Sequence, residues 1–233
     1  MKQLIKTNFE EYGFILTEKQ VEQFEKYFHF LVQENEKYNL TAITEQKEVV
    51  VKHFLDSVLP ITHIPQNAKV IDVGTGAGFP GVPLKILRED IEVTLLDSLQ
   101  KRINFLSQLI EILGLKNTKC VHSRAEDYVK EKREKFDVAV SRAVASIPTL
   151  AEYLIPYVKQ SGKILMYKAS KAEEELALGQ KAIKEFGCKL ESVDKYFLSE
   201  YQSERNIVVL KKVALTPTKF PRGKNLPKTK PLI

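Results

Sequence analysis

The stretch VIDVGTGAGFPG, residues 70–81, decides the fold. Its aliphatic run ends at Val73, and Gly74, Gly76, Gly78 and Gly81 then fall within eight positions. Glycine accepts positive φ and has no Cβ, so repeated glycines after a strand mark a turn that something approaches closely. GVPLKIL then predicts a helix, with Pro83 tolerated in its first turn. A strand running into a helix through such a turn is the setting of a nucleotide-binding loop. The GxGxxG spacing over 76–81 leaves a dinucleotide in play, whereas the lack of GK[ST] excludes a P-loop.

The same rhythm continues downstream. IEVTLLD predicts a second strand ending at Asp97. LQKRINFLSQLIEILG predicts a helix with Leu99, Ile103, Leu106, Ile110 and Leu113 on one stripe and Gly114 as its stop. TKCVHS, FDVAVSRA and SGKILMYK predict strands, and KAEEELALGQKAIKEFG another helix. Such alternation implies a parallel sheet with right-handed crossovers. LESVDKYFLS and RNIVVLKK, joined only by polar EYQSE, predict an antiparallel hairpin at the sheet edge. Upstream, TEKQ at 17–20 fits a capping box, and Val21, Phe24, Tyr27, Phe28, Leu31 and Val32 recur at helical spacing. EQKEVVVKHFLDSVLP predicts one or two shorter helices ending near Pro60. The organisation expected is a helical extension over 1–63, an α/β domain over 64–212 and a basic tail over 213–233. The tail's Pro and Lys content predicts an extended chain.

A chain of 233 residues can bury a full core. No apolar run approaches the length of a membrane span, and MKQLIKTNFEEYGF carries acids where a secretory signal has its apolar stretch. Cys120 and Cys188 lie far apart without CxxC spacing, which argues against a disulfide framework or a zinc site. His29, His63 and His122 form no ligand pattern, so no metal is expected, and a monomeric cytoplasmic protein is. The net charge of +6 is unevenly placed. Residues 1–63 carry seven Lys/Arg against ten Asp/Glu, whereas the last 23 carry seven and none. Such a tail suits a polyanion. Lys211, Lys212, Lys219, Arg222, Lys224, Lys228 and Lys230 are therefore read as phosphate contacts rather than base readers.

Two acids bear on the ligand. Asp72, two residues before the first glycine, gives D-x-G-x-G-x-G; a carboxylate aimed at the turn suits a cationic amino-acid moiety or its ordered water and repels a pyrophosphate. Asp97, at the end of the second strand, is placed to accept ribose hydroxyls, which a nicotinamide dinucleotide and S-adenosylmethionine both offer. The closing hairpin favours a methyltransferase.

NLTAIT, KHFLDS, DVGTGAGFPGVPLKI, LLDSLQKRINFL, SRAED, SRAVA, RNIVVLKK and the FPR…PL tail together resemble one family, from about residue 20 to the end. It is the bacterial 16S rRNA guanine-N7 methyltransferases, also called the glucose-inhibited division protein B family. The resemblance implies a class I S-adenosylmethionine-dependent methyltransferase fold, Rossmann-like, with a helical extension in front. It implies S-adenosylmethionine as methyl donor and a guanine of 16S rRNA, free or in the small-subunit particle, as acceptor. It also implies that Gly74 and Phe79 contact the cofactor, with Gly76 and Gly78 in the same turn. Ala125 and Glu126 would lie beside the adenine, and Arg142 would reach the cofactor or the target base. Ala169 and Asn225 depart from the pattern, which has glycine there. The competing reading is a methyltransferase of the same fold acting on another RNA position or a small molecule.

Guanine N7 carries no proton, so its methylation needs no general base; alignment and desolvation carry the reaction. There is no N-P-P-Y-type motif for an exocyclic amine, and Cys120, within a predicted strand, suits a core position better than a pyrimidine-attacking thiolate. Arg142 is the catalytic candidate, its planar fork suited to guanine O6 or to the cofactor carboxylate. His53 and Asp56, at i and i+3, share one helical face. Three readings of His53 and Asp56 stay open: RNA contact, a buttress of the glycine turn, or an ordinary hydrogen bond from helix to domain.

Overall fold

The structure, a computed structural model, describes residues 1–142 and 145–233. Ala143 and Val144 of the SRAVA motif lie outside the described residues. Helices α1 (Lys2–Glu11) and α2 (Glu18–Tyr38) come first. One continuous helical stretch follows, made of α3 (Gln46–Glu48), a π-helical segment (Val49–Leu55) and α4 (Asp56–Val58). The α/β part then runs β1 (Lys69–Val73), α5 (Gly81–Leu87), β2 (Glu92–Asp97), α6 (Gln100–Ile112), β3 (Thr118–His122), α7 (Ala125–Lys132), β4 (Phe136–Arg142), α8 (Ile147–Leu154), β5 (Val158–Lys168), α9 (Ala172–Glu185), β6 (Cys188–Leu198) and β7 (Ser203–Lys212), before α10 (Leu226–Thr229) in the tail.

The seven strands form one sheet in the order β3-β2-β1-β4-β5-β7-β6. All pairings through β5 are parallel; β7 runs antiparallel to β5, and β6 antiparallel to β7. The closing hairpin is therefore where the sequence predicts it, with β7 inserted between β5 and β6.

Period-2 alternation gives the sheet two apolar faces. Val70, Val138, Val140 and Val209 pack into one core with Ile5, Phe9, Phe24 and Phe54. Ile71, Ala139, Met166 and Val208 pack into the other with Leu150, Ile183 and Phe186. Residues 1–63 thus share one core with a sheet face and α5 and α6. Burying a side chain such as Phe24 or Phe54 contributes about 1.5–3 kcal/mol. Among the described residues no helix is long and apolar enough to cross a membrane.

Local signals set the elements that reach the site. At Thr17 the capping box is complete: its Oγ1 accepts from Gln20 N at 3.3 Å, and Gln20 Oε1 accepts from Thr17 N at 2.9 Å. α2 ends at Asn39, in the left-handed conformation. There Asn35 Oδ1 accepts from Leu40 N and Thr41 N at 2.7 and 2.9 Å, turning the chain so that Thr41 faces His53. On α6 the stripe begins later than its sequence suggests. Leu99 precedes the first turn and is exposed, and Phe105 and Leu109 complete the buried face. The tail departs most from expectation: it turns, forms α10 and docks on the second core through Phe220, 4.7 Å from the Phe186 ring.

Candidate functional site

The glycine turn joins the C-terminal ends of β1 and β2. Gly74 N and Thr75 N donate to Leu96 O at 2.8 and 3.1 Å, extending the strand pairing into the loop. Asp97 closes the turn: its Oδ2 accepts from Gly76 N at 3.0 Å and from Arg102 Nη1 at 3.1 Å, and its Oδ1 from Leu99 N at 2.9 Å. A carboxylate offers about four acceptor positions, so Oδ1 keeps one for a ligand hydroxyl. Gly76 has φ +62°, and a Cβ built there would meet nothing within 4 Å. It faces a cavity of about 560 Å³.

Gly74, Gly76, Phe79, Asp97, Ala125, Glu126, Arg142, His53 and Lys228 all reach this cavity. Asp72 and Gly78 do not, which corrects their assignment as cofactor contacts. Gly78 has φ +101°, and a Cβ there would sit 2.7 Å from Tyr27 Oη and 2.8 Å from Val82 Cγ2. Its glycine is required by packing behind the turn. Asp72 is fully buried, its Oδ2 accepting from Thr75 Oγ1 at 2.7 Å and Gly81 N at 2.8 Å. Burial pushes its carboxyl up to about 7, against the opposing pull of those two hydrogen bonds and of Arg142. Asp72 therefore staples the turn from beneath. Tyr27 supports it beside Asp72, donating to Ala77 O at 2.6 Å and stacking on Phe79 at 5.3 Å.

Arg142 ends β4 at the cavity wall, its guanidinium 4.8 Å from the Phe79 ring centroid. Its Nη1 donates to Asp56 Oδ2 at 2.9 Å and Lys52 O at 3.1 Å, and its Nη2 lies 3.2 Å from His53 Nδ1. The π-helical turn at 49–55 carries both Lys52 and His53; such widened turns recur at functional sites. His53 stacks on Phe79 at 4.5 Å, and its Nε2 lies 2.8 Å from Thr41 Oγ1. These contacts are of the buttressing and helix-to-domain kinds. Burial and the Arg142 charge pull the His53 imidazole down to about 3.

A base whose pKa is depressed on folding supports stability fully above its unfolded value near 6.5. That support is lost as pH falls through the window towards 3. The imidazole is thus neutral throughout the neutral range. The expected result is that His53 ring resonances hold their neutral position from pH 8 to pH 5 in an NMR titration. A midpoint near 6.5 would refute it.

Several wall residues are not singled out by the sequence: Thr41, Ser98 and Ser123, though they lie in the NLTAIT, LLDSLQKRINFL and SRAED motifs, and Tyr153. Each owes its place to a turn or helix that the strands position. Thr41 lies inside NLTAIT, yet only the fold shows its side chain reaching His53. A second cavity, of about 630 Å³, opens on the far side of Arg142 and His53, which line both.

The cations read as phosphate contacts separate into groups. Lys212 is buried, donating to Ile155 O at 3.0 Å, and Arg222 is bound through its Nε and Nη2 to the fully buried Glu152, at 2.9 and 2.7 Å. Both hold the fold together, which corrects their reading as RNA contacts. Lys219 pairs with Glu185 at 2.9 Å on the surface, and Lys211 donates to Ser161 O at 2.6 Å. Lys224, Lys228 and Lys230 are exposed, Lys228 at the cavity mouth. Asn225 adopts φ +60°, the conformation a glycine would take at that position. Among the described residues no group of three or more His, Cys, Asp or Glu is placed to hold a metal ion.

Comparison with known proteins agrees with this geometry. The sheet and its flanking helices are similar to a SAM-dependent methyltransferase from Aquifex aeolicus, with TM-score 0.56, 18% identity and coverage of 77% of this chain and 97% of that one. They are likewise similar to M. jannaschii TYW2, solved in complex with AdoMet, with TM-score 0.57, 15% identity and coverage of 74% and 80%. At these identities the likeness establishes the class I methyltransferase fold. Sequence relatives go further. The Ribosomal RNA small subunit methyltransferase G of Desulforamulus reducens is 48% identical over 95% of this chain and 94% of its own. That of Bacillus licheniformis is 46% identical over 96% and 95%. The profile of the family described as rRNA small subunit methyltransferase G matches residues 20–208, from the capped helix α2 to the inner strand of the closing hairpin. With the glycine turn, Asp97 and Arg142 set around one cavity within that span, the chain belongs to the rRNA small subunit methyltransferase G family.

Proposed function

We propose that the chain transfers a methyl group from S-adenosylmethionine to N7 of a guanine in 16S rRNA of the small ribosomal subunit. The observation that carries the reading is the open space above Gly76, walled by Asp97 on one side and by Arg142 on the other. S-adenosylmethionine supplies, when bound, a methyl group made electrophilic by its sulfonium. The residues present suit it. Asp97 keeps an acceptor position for ribose, and the backbone at Gly74 and Gly76 is bare. Ala125 and Glu126 line the part of the wall assigned to adenine, and the guanidinium of Arg142 suits a carboxylate or a base carbonyl.

For the acceptor, the chain's task is orientation and exclusion of water. N7 has a lone pair and no proton, so no side chain need remove one. Neutral His53 and largely buried Arg142 accord with that: neither serves as a base, and both pack against Phe79. The protein is read as a monomer, and an rRNA substrate calls for the cytoplasm. Lys224, Lys228 and Lys230 are read as contacts for the RNA backbone, which their exposure supports. The direct test is to supply labelled cofactor and small-subunit rRNA or particles, then map the methylated nucleotide. A single guanine gaining N7-methyl is expected; methyl at any other atom, or none, would overturn the reading.

Asp97→Ala is expected to weaken cofactor binding. Charge-assisted hydrogen bonds of this kind contribute ~1.5–3 kcal/mol, roughly ten- to hundredfold in affinity. The same substitution frees Gly76 N and Leu99 N, so Asp97→Asn, which retains an acceptor oxygen, should lose less. Calorimetry giving wild-type affinity for Asp97→Ala would remove Asp97 from the site.

A further inference from the structure

We infer that the second cavity, behind Arg142 and His53, receives the target guanine, with Lys168 and Lys171 beside it for the nucleotide's phosphate. The inference rests on the proposed methyl transfer to N7. Among the described residues the two cavities share only His53 and Arg142, so those two side chains form the boundary between them. At about 630 Å³ the second cavity falls in the range of small-molecule sites.

Its walls are cationic. Lys52, Arg142, Lys168, Lys171 and Arg205 face it against two carboxylates, Asp56 and Glu175. Both carboxylates are already engaged. Asp56 lies between Arg142 Nη1 at 2.9 Å and Arg205 Nε at 3.0 Å, and Glu175 Oε2 accepts from Ile147 N at 2.8 Å and pairs with Lys168 at 2.7 Å. Lys171 is exposed and makes no ion pair among the described residues. Lys52 in turn pairs with Glu48, so Lys171 is the wall cation left to draw an anion, with Lys168 beside it, and a nucleotide monophosphate unit is the anion an RNA strand brings to a methyltransferase.

The choice of base follows from the fork of Arg142. Nη1 is occupied by Lys52 O and Asp56, whereas among the described residues Nη2 meets His53 Nδ1 alone, leaving one hydrogen undirected there. On the edge that carries N7, guanine presents a second acceptor, O6; adenine presents the N6 amino donor instead. A fixed N–H at the boundary between the cavities therefore bonds O6 with N7 turned to the cofactor cavity, and it opposes adenine donor to donor. Buried Asp56 acts through Arg142 as a positioning residue, since its charge pins the fork.

The probes are guanosine 5′-monophosphate and adenosine 5′-monophosphate, titrated by NMR into the full chain. Guanosine monophosphate is expected to bind at least tenfold tighter than adenosine monophosphate. Lys171→Gln, an exposed change that leaves the core intact, should weaken both several-fold and raise KM for rRNA with cofactor affinity unchanged. Asp56→Asn should erase the preference between the two bases. If it fails to fold, Lys171→Gln and the wild-type preference decide. Equal binding of the two nucleotides by the wild type, or an unaltered response of Lys171→Gln, would overturn the inference. Methyl mapping with the wild-type protein separates the two failures. N7-methylguanine formed alongside either of those results leaves the reaction standing and removes only the pocket. Absence of N7-methylguanine removes both.

Discussion

Gly76→Val is expected to abolish S-adenosylmethionine binding, by at least a hundredfold, while the protein keeps its fold. At φ +62° the backbone of residue 76 is in the left-handed region, which a β-branched residue reaches only as an outlier. Any relaxation towards negative φ would break the Gly76 N to Asp97 Oδ2 bond and pull the turn away from β2. If the backbone holds, the two γ-methyls occupy the space that the cofactor needs. Either route ends in loss of binding. The fold should survive because a Cβ at 76 touches nothing within 4 Å, unlike one at Gly78, which would drive into Tyr27 and Val82 behind the turn. The pair is therefore diagnostic: Gly76→Val should stay folded with a melt lowered only by the strain at its own backbone and bind no cofactor, and Gly78→Ala should lose more stability, adding a clash to its strain. Wild-type cofactor affinity in calorimetry of Gly76→Val would show that the turn is not the binding site.

The strands, the turn and the closing hairpin were legible because each is written in local terms. A period-2 apolar run, a glycine needing positive φ, and a capping Thr17 with Gln20 depend on neighbours a few residues away. α8 was not legible in that way: IPTLAEYL lies on the second core with most of its surface buried, so it lacks the polar face that marks an amphipathic helix. The same limit governs the site. Gly74, Gly76 and Asp97 follow from strand ends and spacing. Asp72 and Gly78 belong to the same motif, but whether a motif residue faces the ligand or the core depends on what packs behind it. Here that is Tyr27, fifty residues away. The junction of Arg142, His53, Thr41 and Asp56 brings together three chain segments, none of which encodes the others.

The tail is where charge alone misleads, and Arg222→Ala tests the reason. Counted from sequence, Arg222 is one cation of seven; in the fold its Nε, Nη2 and backbone N all reach the carboxylate of Glu152, and its Nη2 also donates to Lys230 O at 2.9 Å. Glu152 is fully buried on α8, so removal of the guanidinium leaves its charge with the single backbone donor at 222. Breaking one partner of a buried pair typically costs about 3–5 kcal/mol, most of it the uncompensated charge left behind. For a chain of this size that corresponds to a fall in Tm of roughly 10 °C. Replacing both partners, Arg222→Met with Glu152→Leu, should recover much of the loss, because the buried charge goes with its partner. An RNA-contact role gives the opposite pattern: an unchanged melt, a flatter salt dependence of rRNA binding, and no rescue by the second substitution. Exposed Lys228, by contrast, should change the salt dependence and leave the melting temperature alone. A wild-type Tm for Arg222→Ala would return the arginine to the RNA.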